Sequence, residues 1–313
     1  MIIAITGGTG FIGSALAKRH LERGDQVRIL SRDANGRGLH NAAYTWVDGD
    51  LVSGRGLADL VDGVDVLYHA AGQLTNQSQM RDLHIEGTRR LVGAAKGHIP
   101  HWVQLSSVGV YGPVSQGSVS EASPDNPVGE YETTKAESDR IVLDAAAQGA
   151  FTCSILRPSN VFGPDMKNQS LFGMIRMIER GMFFFIGRKG ASANYIHVDN
   201  VVEGLVRCAT MPQAKGRVYN LSDHCSMERF VQILCDELGK KVPALRLSES
   251  PVRLIAKLFG SISGFPLTEQ RVDAMTNHSV YPIQRIQEEL DYAHVTSMEN
   301  GLRQLVAAYR SKP

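Results

Sequence analysis

The sequence predicts an α/β fold, in which a doubly wound parallel sheet carries a smaller, mostly helical C-terminal lobe. Short apolar runs alternate with helix-length segments through the first half of the chain, which favours right-handed βαβ crossovers and helices on both faces of the sheet. A glycine-rich turn joins the first apolar run to the first helical segment. After about residue 160 the alternation breaks down among prolines, glycines and shorter helical segments.

The predicted elements follow one another along the chain with few interruptions. Strands are expected at 2–6, 27–30, 64–68, 101–105 and 151–156. Helices are expected from about 12 to 21, through 91–95, and over about 131–148, 170–179 and 226–238. Residues 195–206 are expected to return to the sheet. The apolar run Met182–Ile186 predicts a buried strand or pocket wall, and residues 251–260 predict a helix that packs on the smaller lobe.

Charge and cysteine content exclude several classes of protein. Lys and Arg number 33 and Asp and Glu 32, so the net charge of +1 lacks the basic surplus of a nucleic-acid binder. No apolar run is long enough for a membrane span, and the first residues lack the basic region of a secretory signal. Four widely spaced cysteines without a CxxC pair are typical of reduced thiols, so we expect a cytoplasmic protein. The ten histidines show no metal-ligand spacing, and we expect no metal.

The glycine-rich turn spans residues 6–13, with the sequence Thr-Gly-Gly-Thr-Gly-Phe-Ile-Gly. Gly7 permits a tight turn, Gly10 lets a pyrophosphate approach the backbone, and Gly13 permits close packing of helix on strand. The helix N-terminus then offers free N–H groups to the phosphates. The position between a strand and a helix predicts a Rossmann-type dinucleotide site, with contacts from Gly7, Thr9, Gly10, Phe11, Ile12 and Gly13.

The end of the second strand bears on the choice between NAD and NADP. An acidic residue there binds the ribose 2′-hydroxyl of NAD, whereas an arginine accommodates the 2′-phosphate of NADP. Ser31 occupies the acidic position and Arg32 follows it, so NADP(H) is predicted, with NAD(H) and a ribose contact from Asp33 as the alternative. Asp50 and Leu51 are expected beside the adenine. Small residues that would let a cofactor ribose pass are Ala70, Ala71 and Gly72.

These assignments divide the chain into two interleaved units. Residues 1–165 and about 192–222 are predicted to form the dinucleotide-binding domain. Residues about 166–191 and 223–313 are predicted to form the substrate-binding lobe. We expect no internal repeat and no flexible linker between them.

A Tyr-x-x-x-Lys pair provides the candidate chemistry. Tyr131 and Lys135 are four residues apart on a predicted helix, so the phenol and the ammonium share one face. A neighbouring cation favours the phenolate and is expected to lower the pKa of Tyr131, which could then exchange a proton with a substrate oxygen during hydride transfer. Ser107, at the end of the fifth predicted strand, is expected to bond the same oxygen.

Together these motifs resemble the extended short-chain dehydrogenases/reductases of the NAD(P)-dependent epimerase/dehydratase family. The resemblance runs nearly end to end and includes segments 6–13, 69–72, 106–112, 156–164 and 195–202. It implies a catalytic set of Ser107, Tyr131 and Lys135 and a lobe that grips the substrate, often a nucleoside-diphosphate sugar. It also implies a homodimer. Further contacts expected from the resemblance are Ser106, Tyr131, Lys135, Pro158 and Val161 to the cofactor and Asn160 to the substrate.

Departures from the family pattern narrow the function. Dehydratases of this family carry Asp-Glu after the catalytic hydroxyl, but Val108 and Gly109 stand here and cannot transfer protons, which excludes dehydration. Many sugar epimerases have an arginine at the position of Ala193 that binds the substrate pyrophosphate, so Arg188 or Arg271 would have to supply that charge. His84 replaces a frequent Asn and is interpreted as a structural histidine, as are His69 and His197.

Three functions follow from these residues. The first is a 4-keto reductase or 4-epimerase of a nucleoside-diphosphate sugar, and Arg32 favours the reductase. The second is a reductase or dehydrogenase of a steroid- or flavonol-type alcohol or ketone, which the substitution at Ala193 supports. The third is a non-catalytic NADP-binding sensor, which the intact Ser107, Tyr131 and Lys135 disfavour.

Overall fold

A computed structural model describes residues 1–34, 44–166, 170–259 and 268–311 of the chain. In these ranges the strands are β1 Ile2–Thr6, β2 Gln26–Ser31, β3 Tyr44–Asp48, β4 Val66–His69, β5 His101–Leu105, β6 Gln116–Ser118, β7 Thr152–Pro158, β8 Asn160–Phe162, β9 Phe185–Ile186, β10 Ser192–His197, β11 Arg217–Leu221, β12 Asp223–Ser226, β13 Arg246–Leu247 and β14 His278–Val280. The α-helices are α1 Phe11–Glu22, α2 Leu57–Val61, α3 Gln77–Arg81, α4 Gly87–Ala95, α5 Glu130–Ala147, α6 Ser170–Glu179, α7 Val198–Thr210, α8 Met227–Leu238, α9 Glu249–Phe259, α10 Glu269–Thr276, α11 Gln284–Leu290 and α12 Met298–Ser311. A single π-helical turn, Asp82–Glu86, joins α3 to α4.

Seven strands form one parallel sheet in the order β3-β2-β1-β4-β5-β7-β11, which confirms the predicted doubly wound fold. The chain runs outward from β1 to β3 and then returns to β4 on the other side of β1. The carboxyl ends of β1 and β4 therefore flank the point where the strand order reverses, which is where ligands bind in sheets of this type.

Each face of the sheet is covered by its own apolar core. On one face α1 and α7 pack on the sheet, with Leu16 and Leu205 fully buried. On the other face α2, α4 and α5 pack around Leu67 and Trp102. Burial on both faces explains why the strands are continuous apolar runs rather than alternating ones.

The smaller lobe has a separate core formed by α6, α8 and α12 against β10. Residues 198–206 do return to the large sheet, because α7 packs on it, whereas β10 pairs with β8 and β12 in a separate three-stranded sheet. The segment around 283–292 departs from its predicted place, because Ile286, Leu290 and Tyr292 pack in the core of the sheet rather than in that of the lobe. The two domain boundaries themselves stay predictions.

Two apolar segments of the lobe differ in how fully they are buried. Phe183 and Phe185 are buried and β9 begins at Phe185, as the run 182–186 predicts. Helix α9 packs through Val252 and Ala256 only, whereas Leu254 and Leu258 are about 60% exposed (58% and 62%). Packing on the lobe thus accounts for one face of this helix. Among the described residues, no helix combines the length and the apolar character needed to cross a membrane.

Candidate active site

The glycine-rich turn lies at the carboxyl end of β1 against the loop that follows β4. Gly7 has a φ of +73°, and a Cβ on it would lie 2.6 Å from the Ala70 carbonyl oxygen and the Ala71 amide nitrogen. A Cβ on Gly13 would collide with the Gly7 carbonyl oxygen. Both positions therefore require glycine, and the turn is held by a hydrogen bond from the Gly10 N–H to the Gly7 carbonyl (2.9 Å).

The N-terminus of α1 has the properties of a phosphate site. Gly10 is the N-cap residue, no side chain caps the helix, and its first turn contains no acidic residue. The amides there consequently keep their partial positive charge available for an anion. This geometry can accommodate the pyrophosphate of a dinucleotide. The contacts themselves stay a prediction, and they are Gly7, Thr9, Gly10, Phe11, Ile12 and Gly13.

The end of β2 presents one buried and two exposed polar residues. Ser31 is buried and its Oγ accepts a hydrogen bond from the Asp33 N–H (3.2 Å). Arg32 and Asp33 are exposed. Within the described ranges Arg32 makes no ion pair, so its guanidinium is available to a 2′-phosphate.

The ends of β3 and β4 border the same region. Asp50 forms a backbone bridge to Arg55, and Leu51 is buried against Gly87. Ala70 and Ala71 are half-buried and Gly72 is exposed, directly after β4. The small residues predicted to admit a cofactor thus lie next to the glycine turn.

The candidate catalytic residues meet at the carboxyl end of β5 and the first turns of α5. Ser107 follows β5 by two residues and its Oγ accepts a hydrogen bond from the Gly109 N–H (3.1 Å), which leaves its own proton free for a substrate oxygen. Lys135 is buried and its Nζ donates to the Leu105 carbonyl (2.5 Å). Tyr131 precedes it by one helical turn and is half-buried.

The protonation of Tyr131 differs from the sequence prediction. Burial, and next the carboxylates of Glu132 and Asp139, raise the pKa of Tyr131 to about 12. The prediction that Lys135 lowers the pKa of Tyr131 is therefore wrong for this structure. The physical reason is that desolvation disfavours the phenolate, while the ammonium is directed at a backbone carbonyl.

A buried ion pair lies beneath these residues, and the sequence analysis missed it. Asp139 Oδ2 accepts hydrogen bonds from Ser106 Oγ (2.6 Å) and from the Arg157 guanidinium (3.3 Å). Burial lowers the pKa of Lys135, and the charge of Asp139 opposes that change. The hydroxyl of Ser106 is thereby engaged, so only its backbone could border a cofactor. The sequence signal that indicates a charged neighbour for Lys135 is Asp139, which lies four residues further along the same helix.

His84 lies in the π-helical turn and connects two parts of the site. Its Nε2 accepts a hydrogen bond from the Gln73 N–H (2.9 Å), so Nδ1 carries the proton and donates to Thr134 Oγ1 (2.8 Å). Burial, aided by the charge of Lys135, lowers the pKa of His84 to about 3. His84 is thus uncharged and connects the loop after β4 to helix α5 through two hydrogen bonds, in line with its interpretation as a structural histidine.

The other two histidines also have structural roles. His69 is buried between Thr6 Oγ1 (2.6 Å) and Thr88 Oγ1 (3.0 Å). His197 is the N-cap residue of α7, where its Nδ1 accepts a hydrogen bond from the Asp199 N–H (3.3 Å). Neither imidazole takes part in the set around Tyr131.

The predicted substrate contacts are spread over the lobe. Asn160 is exposed at the start of β8, Arg271 is exposed on α10, and Arg188 is exposed in the loop after β9. Arg188 lines a cleft of about 280 Å³ together with Gln116, Lys189 and His278. Ala193 is fully buried, and the Asn194 side chain donates to the Ser279 carbonyl (2.9 Å). In the part of the chain that is described, no His, Cys, Asp or Glu group is arranged to hold a metal ion.

Comparisons with known proteins place this site in a family context. A family model described as the NAD dependent epimerase/dehydratase family matches residues 3–222. Sterol demethylase protein B of Methylococcus capsulatus is 28% identical, over 82% of this chain and 81% of that protein. The 4-hydroxy-2-methyl-3-oxo-4-farnesyl-3,4-dihydroquinoline-1-oxide ketoreductase of Stigmatella aurantiaca is 28% identical, over 95% and 93%. The structure of UDP-glucuronic acid 4-epimerase from Bacillus cereus in complex with NAD is 20% identical, with a TM-score of 0.76 over 99% of each chain.

Proposed function

Because the chain belongs to the NAD-dependent epimerase/dehydratase family, we propose that it transfers hydride between a nicotinamide cofactor and a secondary alcohol or ketone, and that it works chiefly as a reductase. The observation that carries this proposal is the place of Lys135, four residues after Tyr131 on α5, with its Nζ bonded to the carbonyl of Leu105, two residues before Ser107. The bound cofactor supplies the hydride.

The residues of the chain supply proton transfer and orientation. Ser107 donates a hydrogen bond to the ketone oxygen and holds it against Tyr131. Tyr131 gives its proton to that oxygen as negative charge develops there. Lys135, held by the Leu105 carbonyl, stabilises the phenolate that remains.

The assigned proton donor predicts how the rate of reduction depends on pH. Reduction needs the protonated phenol, which is lost only as the pH rises through the pKa of Tyr131, at about 12. We therefore expect kcat/KM for reduction to stay level between pH 6 and 9. Measured profiles in which the rate of reduction falls across this range would contradict the assigned proton donor.

For the cofactor we propose NADP(H), with contacts from Ser31 and Arg32. The support is the exposed guanidinium of Arg32 at the end of β2, which has no ion pair with any residue that the structure describes. Further cofactor contacts are proposed at Asp50 and Leu51 after β3, at Ala70, Ala71 and Gly72 after β4, at Pro158 at the end of β7 and at Val161 in β8. A cytoplasmic location and a homodimer stay predictions from the sequence.

For the substrate we propose a ketone without a diphosphate group. Position 193, where the family resemblance implies a pyrophosphate-binding arginine, holds a fully buried alanine, and Asn194 is engaged with Ser279. The quinoline-oxide ketoreductase and the sterol demethylase protein are relatives whose names specify ring systems without phosphate. This favours the second of the three functions.

A nucleoside-diphosphate sugar is the second candidate substrate. The cleft that contains Arg188, Lys189 and His278 offers positive charge to an anion, and the epimerase from Bacillus cereus shares the fold. Arg271 would have to reach the same ligand from α10.

One ligand panel separates the two candidates. The Tm of the protein is measured with NADP+ alone and then with UDP, dTDP, GDP, sugar nucleotides, steroid ketones and dihydroflavonols, because a ligand of the native state raises the Tm. We expect stabilisation by ring ketones and none by nucleoside diphosphates. A rise in Tm with a nucleoside diphosphate that is lost in Arg188→Ala would select the sugar-nucleotide candidate instead.

A further inference from the structure

Exposed apolar side chains are concentrated in one short part of the smaller lobe. Of the twelve large apolar side chains that are exposed among the described residues, six lie between residues 242 and 259, a segment that contains β13 and α9. They are Val242, Leu245, Leu254, Ile255, Leu258 and Phe259. Single exposed apolar residues are ordinary on a protein surface, but a concentration of this kind marks an interaction surface.

The exposed apolar side chains of α9 share one face of the helix. Leu254, Ile255 and Leu258 stand at positions i, i+1 and i+4, so they project to the same side, and they are 58%, 41% and 62% exposed. The opposite side carries Val252 and Ala256, which are buried in the small core that α9 shares with β9, β13 and α10. The helix therefore has two apolar sides, and packing within the lobe accounts for one of them.

The charged residues around this face are mostly basic. Residues 240–259 contain five Lys or Arg and one Glu, in a chain whose net charge is +1. Arg246 and Arg253 are engaged in ion pairs with acids of the lobe. The exposed basic residues that form no ion pair with any described residue are Lys240, Lys241 and Lys257. Lys257 borders the apolar face, because it directly precedes Leu258 on the helix.

Charge and size argue against a protein as the occupant of this face. A symmetric contact of α9 with a second copy of the chain would bring Lys257 of each copy towards the other, and like charges repel. The helix has 11 residues and is about 16 Å long, so its exposed face is small compared with the roughly 1,000 Å² of a stable protein interface. Apolar side chains beside unpaired lysines are instead the combination that holds an amphipathic helix on anionic lipid.

The position of α9 in the lobe also favours a lipid surface. A Cβ on Gly187 would lie 3.4 Å from Glu249 Oε2, so the start of α9 lies against the loop that follows β9. The same loop supplies Arg188 and Lys189 to the cleft of about 280 Å³. Ring ketones without phosphate, the substrates proposed above, partition from water into bilayers. Contact between α9 and a bilayer would therefore hold the cleft near a source of such molecules.

We propose that the face formed by Leu254, Ile255 and Leu258, with Lys257 at its border, docks reversibly on the surface of an anionic lipid bilayer. The lysines attract the lobe to the negatively charged headgroups, and the three apolar side chains enter the boundary between headgroups and acyl chains. The helix lies in the plane of this boundary and does not cross the bilayer. This inference goes beyond the proposed function, because it needs no assumption about the reaction at Tyr131.

Co-sedimentation with vesicles tests the docking. The full-length protein is mixed with vesicles of phosphatidylcholine that contain about 30% phosphatidylglycerol, and separately with vesicles of phosphatidylcholine alone. We expect binding to the anionic vesicles and at least about tenfold weaker binding to the neutral ones, since each lysine near the surface contributes about fivefold. Binding to the anionic vesicles should weaken as the salt concentration rises from about 0.05 to 0.5 M, because salt screens the attraction.

Single substitutions on α9 separate the apolar contribution from the charge. Leu254→Gln and Leu258→Gln keep good helix formers at exposed positions, and each should weaken binding at least about tenfold, because a leucine is no longer buried in lipid. Lys257→Gln should weaken binding about fivefold. The matched controls are Val295→Gln, at an exposed apolar position outside the segment, and Lys96→Gln, at the exposed end of α4, and both should bind as the wild type does. The Tm of every variant is measured to show that it is folded.

Three outcomes would overturn the proposal. The first is that the wild-type protein stays in the supernatant with anionic vesicles. The second is that Leu254→Gln and Leu258→Gln bind as tightly as the wild type, since another surface would then hold the lipid. The third is self-association in gel filtration that Leu258→Gln abolishes while no vesicles are bound, which would assign the face to a second copy. Vesicle binding requires no turnover, so each of these outcomes leaves the proposed reductase activity untouched.

Discussion

At the scale of single residues, Tyr131 shows how burial changes a chemical role. The Tyr-x-x-x-Lys spacing correctly indicates that phenol and ammonium share a helix face. The spacing alone does not reveal that the phenol is desolvated and that two carboxylates lie near it. These conditions keep the proton on Tyr131 and make it a donor, which suits reduction.

The first prediction concerns this proton donor. Tyr131→Phe removes the hydroxyl while it keeps the ring that packs edge-on against His84. We expect kcat to fall by about 10²–10⁴-fold, the usual contribution of a positioned general acid. The Kd for NADPH, measured by fluorescence titration, should change less than about twofold because all the other expected cofactor contacts remain. The matched control is Tyr309→Phe, which deletes a surface hydroxyl bonded to Glu179. Retained turnover in Tyr131→Phe would disprove the mechanism.

The second prediction concerns the cofactor. Arg32→Ala should raise the KM for NADPH by about 10-fold or more, since a charge-assisted hydrogen bond to phosphate contributes about 1.5–3 kcal/mol. The KM for NADH should change little, because NADH has no 2′-phosphate. Arg303→Ala serves as the control, because it removes an exposed arginine that pairs with Glu237 outside the cofactor site. An equal rise in KM for NADPH and NADH would show that Arg32 does not bind the 2′-phosphate.

At the scale of elements, α5 carries most of the candidate chemistry. Tyr131, Lys135 and Asp139 all lie on this helix, and Asp139 ties it to β7 through Arg157. His84 ties the same helix to the loop after β4. The helix is thus positioned by polar contacts on two sides, which is how a site of this kind is held rigid.

The third prediction compares the two carboxylates that pair with Arg157. Asp139 is buried (1% exposed) and Asp125 is 43% exposed. Asp139→Asn leaves a buried guanidinium poorly compensated and should cost about 3–5 kcal/mol of unfolding free energy. Asp125→Asn should cost at most about 1 kcal/mol, because water screens an exposed pair. Urea denaturation measures both, and similar losses would contradict the buried ion pair as the stabilising contact.

At the scale of the whole molecule, six imidazoles among the described residues have lowered pKa values, chiefly because burial disfavours their charged form. They are His20, His69, His84, His101, His197 and His294. Two carboxyls with raised pKa values, Asp139 and Asp223, act in the opposite direction on acid stability. Because these histidines outnumber the two carboxyls, we expect the folded protein to lose stability in acid.

The fourth prediction follows from that balance. Each of these histidines binds a proton in the unfolded chain as the pH falls below its ordinary pKa of 6.5, while the folded state resists protonation. Stability should therefore fall as the pH drops from 6.5 towards 4, and the slope of unfolding free energy against pH gives the number of protons taken up. His84→Gln should reduce the slope, whereas the exposed His98→Gln should not. A stability that is level from pH 6.5 to 4.5 would contradict the prediction.

Much of the fold follows from local patterns. The helix predicted at 170–179 begins and ends at those residues, and the helix at 131–148 is found at 130–147. The sequence prediction assigns the segment around 283–292 to the smaller lobe. A short amphipathic helix can bury its apolar side against either core, so the sequence pattern does not decide between them. Likewise, the apolar pattern of 251–260 identifies a helix but cannot tell which of its apolar residues remain exposed.

The sequence by itself determined the class of fold, the glycine turn and the Tyr131–Lys135 pair, because each depends on residues within a few positions of one another. The tertiary structure alone decided the partners of Asp139, the face of α9 that stays exposed, and the proton on Tyr131. These depend on segments that are distant in the chain and on exclusion of water, and neither is encoded in local spacing. The mechanism proposed for this protein rests on both kinds of information.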